Sequence, residues 1–295
     1  MNTVIHTAPT TIDSKRLSFL DELRGLTLIS MILYHFMWDL VYIAGFSAPW
    51  YHSDGAHLWQ QSICWTFILL SGFCWPFGHH PIKRGLTVFA GGALVTLATL
   101  LFVPEDAVIF GVLTLIGSSM LFIVPLDFCI RQIDRKPITS RFPWILFLLV
   151  LLGISFFLFI LFLPAQSRRV ANFTGLLQGG SLWQGGPALP AILYRQPLKL
   201  PRSLWTGYPL AYLGFPAAGF FSTDYFPVIP WFFLYLSGYL LHKIWTAFDR
   251  PGATFLQKSH LPPLAFLGRH CLLIYMLHQP VLYAVTQAIL LLSPA

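Results

Sequence analysis

Two histidines stand inside apolar runs where water would be scarce. His35 lies in the first such run, with Asp39 four residues later, and His278 lies in the last, followed by Gln279 and Pro280. At the centre of a membrane helix an ionisable side chain costs at least ~2.5 kcal/mol, so such residues are read first as functional. From Arg24 through Leu28, Met31 and His35 to Asp39 the steps are four, three, four and four, which puts all five on one helical face. At helical rise, His35 stands about 16 Å beyond Arg24. A carboxylate one turn away can hold an imidazole nitrogen and favour the protonated ring, which suits a general base. The same pair also suits a structural hydrogen bond between helices, and the spacing fits both. His278 likewise fits either a site residue or a histidine bonded to a neighbouring helix.

Other residues carry weaker signals. His52 and His57 are five apart, not the i,i+4 spacing of a helical metal pair, and no cluster of carboxylates and cysteines accompanies them. No metal is expected. Asp224 opens an aromatic, proline-bearing stretch at 224–231, where it would bind substrate or cap its own helix. Lys83 and Arg84 form a basic step suited to phosphate or to anchoring at a membrane face. The four cysteines (Cys64, Cys74, Cys129 and Cys271) lack CxxC spacing and read as small buried hydrophobes. No phosphate-cradling glycine loop or nucleophile elbow is present.

The elements that position these residues follow from composition. Of 295 residues 56% are hydrophobic and 10% charged, with a mean hydropathy of +0.68. A soluble domain carries about 25% charged residues, so this chain could not clothe a water-facing surface. The segments 107–124 and 142–163 hold no charge at all. The expected fold is all-α: one polytopic membrane domain over 1–295, with spans at 20–44, 59–78, 85–103, 107–128, 143–164, 226–246 and 264–292, about seven in all. An eighth short or re-entrant helix would fit around 204–221. The polar start of the chain does not read as a cleavable signal.

Charge sets the expected orientation. Lys15, Arg16, Arg24, Lys83, Arg84, Arg131, Arg135, Lys136, Arg141, Lys243, Arg250, Lys258 and Arg269 fall on one side of these spans. The short loops of the other side carry Asp54, Glu105 and Asp106. The positive-inside rule then puts the N-terminus in the cytoplasm and the long segment 165–225 outside; that segment carries Arg168, Arg169, Arg195, Lys199 and Arg202, but long loops escape the rule. The net charge of +7 is thus mostly topology, and nucleic acid is not an expected partner.

Four motifs, in order, carry a resemblance. Leu20-Asp21-Glu22-Leu23-Arg24-Gly25-Leu26, with the run 31–40 around His35, resembles the first helix of bacterial proteins related to heparan-α-glucosaminide N-acetyltransferase. The stretches 110–117, 224–231 and 267–280 are similar to later motifs of that family. The resemblance implies an integral-membrane acyltransferase. An acetyl or other acyl group would pass from cytoplasmic acyl-CoA, most simply acetyl-CoA acting as co-substrate, to a sugar or glycan hydroxyl or amine at or across the membrane. In the animal enzymes an asparagine takes the place of His35 and the catalytic histidine lies in the first outer loop, where His52 is the nearest counterpart. The base is therefore His35 or His52. His35 is favoured because Asp39 stands by it and because the broader superfamily carries a histidine there.

On this reading Asp39 orients His35. Arg24, Lys83 and Arg84 face the CoA phosphates, and Asp224 and His278 line the acceptor site in the outer half of the protein. The other expected partners are membrane lipids, in a bacterial inner membrane, and a homo-oligomer is compatible with the sequence. The rival reading is a proton-coupled small-solute transporter whose buried His and Asp relay protons, although the paired repeats common in transporters are not evident.

Overall fold

The computed structural model describes residues 16–134, 143–159, 207–216 and 220–292, and all regular structure among them is helical. In chain order the helices are α1 (Ser18–Tyr42), α2 (Asp54–Cys74), α3 (Pro81–Phe102), α4 (Val112–Asp134), α5 (Pro143–Phe159), α6 (Gly207–Leu213), α7 (Val228–Ala247), α8 (Ala253–Gln257), α9 (Pro262–Arg269) and α10 (Cys271–Leu292). Local chemistry marks their starts. Ser53 accepts the Ala56 N–H at 3.4 Å to open α2, and proline stands in the first turn of α3 and α9. Among the described residues four helices are long and apolar enough to cross a membrane: α1, α3, α4 over Val112–Gln132, and α10.

Three helix pairs meet through glycine. A Cβ on Gly72 of α2 would collide with the Tyr235 carbonyl of α7, and one on Gly238 of α7 with the Leu69 carbonyl of α2. The same exchange joins α1 to α9, where Gly25 faces Leu264 and Gly268 faces Asp21. Gly92 and Gly117 bring α3 against α4. Between apolar helices there is little hydrophobic drive to associate in lipid, so close backbone approach supplies dispersion contact instead. The core lies where α2, α4 and α7 converge, with Ile68, Leu115, Ile123, Tyr235, Tyr239 and Leu240 nearly or fully buried. Leucines 94, 97 and 101 of α3 and 273 and 277 of α10 are exposed, as suits a lipid-facing surface.

The expected continuous helix at 264–292 is broken. His270 leaves helical geometry (φ −100°, ψ 17°), and its N–H bonds back to Phe266 and Leu267, which closes α9 before α10 begins. Arg269 therefore belongs to α9, not to the helix that carries His278. Most of 165–225 lies outside the described residues, as do Lys15, Arg135, Lys136 and Arg141. Of the helix expected around 204–221, the described part is α6, seven residues long.

Candidate functional site between the first and last helices

Packing of α1 against α10 brings His35 and His278 together. Their ring centroids are 4.9 Å apart at an interplanar angle of 63°. Both rings are half-buried. His278 Nδ1 bonds to the Tyr275 carbonyl oxygen, which can only accept, so the proton sits on Nδ1. Nε2 then carries the lone pair, and it is buried with no hydrogen-bond partner among the described residues.

Asp39 does not take the place expected for it. Its carboxylate is fully buried, and its Oδ1 accepts from Gln279 Nε2 at 2.8 Å rather than from His35. The i,i+4 spacing is real, but the amide arriving from α10 takes the carboxylate. Among the described residues Asp39 Oδ2 and Gln279 Oε1 are buried without partners. With His278 Nε2 they make three bare acceptors on two adjoining rungs of the α1–α10 interface. Buried polar atoms are nearly always satisfied, so such a group marks where a donor-bearing molecule can bind.

Asp224 enters from the segment before α7. It does not cap its own helix: Oδ2 accepts the Val112 N–H at 3.3 Å and so caps α4. Gly111 makes room for this, since a Cβ there would stand 3.0 Å from the same oxygen. The Tyr275 hydroxyl lies within electrostatic reach of the Asp224 carboxylate. Burial pushes the Asp224 carboxyl up to about 6, against the opposing pull of the Val112 N–H and the Tyr275 hydroxyl. The Tyr275 ring lies 5.3 Å from that of His278. A continuous line of contacts thus runs from the start of α4 through Asp224, Tyr275 and His278 to His35.

The basic residues gather at the other end of α1. Arg24 is 3.5 Å from Asp21, which is buried and also held by Arg16. Arg84 donates to the Trp75 carbonyl at 3.2 Å and occupies space that Gly78 leaves open. Arg24 and Arg84 lie within electrostatic reach of each other and of Tyr235, whose buried hydroxyl has no partner among the described residues. Lys83 is exposed on α3 and is not drawn into this group. His52 is exposed beside Tyr42, 3.4 Å from its hydroxyl, and no contact joins it to His35 or His278. Among the described residues no three His, Cys, Asp or Glu side chains are placed to share a metal ion.

Several participants were not singled out from sequence. Gln279 and Tyr275 stand beside His278, and an amide in an apolar helix was the available signal. Glu22, inside the first motif, bonds to Ser259 Oγ at 2.8 Å and to the backbone N–H groups of His260 and Leu261 at 2.6 and 2.8 Å. It thereby caps α9, and nothing in the spacing of the chain announces that.

Among the described residues four helices are long and apolar enough to cross a membrane, and an imidazole pair lies between the first and the last of them. Residues 16–280 match the family model described as heparan-alpha-glucosaminide N-acetyltransferase, catalytic, and the chain belongs to that family. It is a membrane acyltransferase whose family acts on glycan-type acceptors. No curated protein and no solved structure matches the chain.

Proposed function

We propose that the protein transfers an acetyl group from cytoplasmic acetyl-CoA to a hydroxyl or amine of a sugar or glycan, at a site between α1 and α10. The observation that carries this reading is the His35–His278 pair, with rings 4.9 Å apart and one bare, buried imidazole nitrogen. Such a nitrogen can take the proton an attacking hydroxyl or amine must lose. The unpartnered oxygens of Asp39 and Gln279 suit an acceptor rich in O–H or N–H donors. Arg24 and Arg84 suit the CoA phosphates, with Lys83 at the margin and Tyr235 offering a buried hydroxyl between. The pantetheine arm would then run along α1 from Arg24 to the histidines, about 16 Å at helical rise.

Lysine and arginine bias supports a cytoplasmic N-terminus, and the apolar runs of the sequence support about seven spans in one membrane domain. On that topology Asp224 and His278 lie in the outer half of the protein and the acceptor is met there, so acetyl-CoA need not leave the cytoplasm. His52 stands at the rim of this half and would touch the acceptor, not the reacting atoms. The test is transfer itself. Purified protein in detergent is given radiolabelled acetyl-CoA with mono- and oligosaccharides bearing free hydroxyls or amines. Label should pass to an acceptor in step with release of CoA thiol. Absence of acetyl-CoA binding, of hydrolysis and of transfer would overturn the reading.

A further inference from the structure

We infer that His278, not His35, is the general base of the transfer, and that Tyr275 and Asp224 are positioning residues that hold it. The inference rests on the acetyltransferase reading and assigns roles within that site. Three differences between the histidines carry it. A base must present a lone pair at a defined atom, and the Nδ1–H bond to the Tyr275 carbonyl puts that of His278 on Nε2. No hydrogen bond fixes the tautomer of His35 among the described residues. The carboxylate that would have fixed it, Asp39, bonds to Gln279 instead. His278 is also braced from outside its own helix. The Tyr275 ring packs 5.3 Å from it, the Tyr275 hydroxyl lies within electrostatic reach of Asp224, and Asp224 is pinned to the start of α4 by the Val112 N–H.

The chemistry balances without a further reagent. The acceptor O–H or N–H gives its proton to His278 Nε2 as the heteroatom lone pair forms a bond to the acetyl carbonyl carbon. The carbonyl electrons shift to oxygen and return as the C–S bond breaks, and the sulfur leaves with the bonding pair. The thiolate takes the proton from the His278 imidazolium, giving CoA thiol and neutral imidazole. His35 packs ring to ring against His278.

The experiment measures transfer from acetyl-CoA to chitosan oligosaccharides, which offer both hydroxyls and amines, by wild type, His278→Ala, His35→Ala and Tyr275→Phe. His278→Ala should bind acetyl-CoA normally, lose about 10²-fold or more in kcat, and regain part of it with added imidazole. Tyr275→Phe keeps the ring and the carbonyl and loses only the hydroxyl that reaches toward Asp224. Its kcat should fall about tenfold, from loosened positioning, while KM for acetyl-CoA stays within about twofold. Rescue of His35→Ala by imidazole but not of His278→Ala overturns the assignment, as does a His278→Ala variant within about threefold of wild type. In both cases the acetyltransferase reading stands. Should His278→Ala fail to bind acetyl-CoA, Tyr275→Phe decides, and an unchanged kcat overturns the assignment. A wild type that transfers nothing and releases no CoA overturns the acetyltransferase reading, and this assignment with it.

Discussion

Gln279 Nε2 lies 2.8 Å from Asp39 Oδ1, tying the last helix to the first one turn along α1 from His35. The bond is buried, and it sets the register at which the two histidines meet. Removing either partner strands the other in a low-dielectric interface. Asp39→Ala and Gln279→Ala should each lower stability by about 1–3 kcal/mol. The double variant should cost less than the sum, with a coupling of about 0.5–3 kcal/mol. Denaturant unfolding in detergent measures all three, and strictly additive losses would contradict a shared bond.

Glycine substitutions should separate by position. Gly72→Ala and Gly238→Ala drive a methyl into facing backbone that cannot move aside, so both should lower the unfolding temperature and the yield of folded protein. Gly153 of α5 has open space around its missing Cβ among the described residues. There alanine should be neutral or stabilise by up to about 1 kcal/mol, the helix-propensity difference. Thermal unfolding of the three variants side by side checks the contrast.

The two ends of α1 should respond differently in kinetics. Arg24→Ala and Arg84→Ala should raise KM for acetyl-CoA about tenfold or more with little change in kcat, since each removes a charge-assisted contact to phosphate. Lys83→Ala, at an exposed position, should change KM less than about threefold. Equal effects from all three would show that bulk positive charge, not the Arg24–Arg84 pair, receives the donor.

His52→Ala should retain most of its turnover, because His52 is exposed and makes no contact with the imidazole pair. Loss of 10²-fold or more in kcat with acetyl-CoA binding intact, as expected on removing a general base, would move the base to the segment between α1 and α2.

Asp224 should make stability depend on pH. Its carboxyl is held up to about 6, above the ordinary carboxylate value, so the fold prefers the protonated form. That contribution is complete below about pH 4 and is lost as pH rises through about 6. Asp224→Asn keeps an acceptor for the Val112 N–H and cannot ionise. Its unfolding temperature relative to wild type should therefore rise between pH 5 and pH 8, and a difference that is flat with pH would contradict the assigned burial.

Much of the frame was legible in the chain. The apolar segments at 20–44, 59–78, 85–103 and 107–128 fall on α1 to α4, because an apolar run of this length can satisfy its backbone only as helix. His35 and Asp39 do share a face of α1, since the helical period alone places them there. The break at His270 was hidden by the composition around it, which is apolar on both sides. Asp224 reads as the cap of whichever helix follows it, and only the approach of Gly111 makes it the cap of α4.

What the sequence by itself determined is that the chain is helical and apolar enough for a membrane, where its charges fall, and which polar residues the apolar runs must shelter. Those properties depend on composition and on neighbours within a few turns. Which polar residue pairs with which was decided only by the tertiary structure. The bonds of Asp39 to Gln279 and of Glu22 to His260 and Leu261 link positions more than 230 residues apart. No periodicity encodes such a partner. A carboxylate in an apolar interior bonds to the strongest donor that packing delivers, and here the packing of α10 against α1 delivered Gln279 to Asp39 and left His278 facing His35.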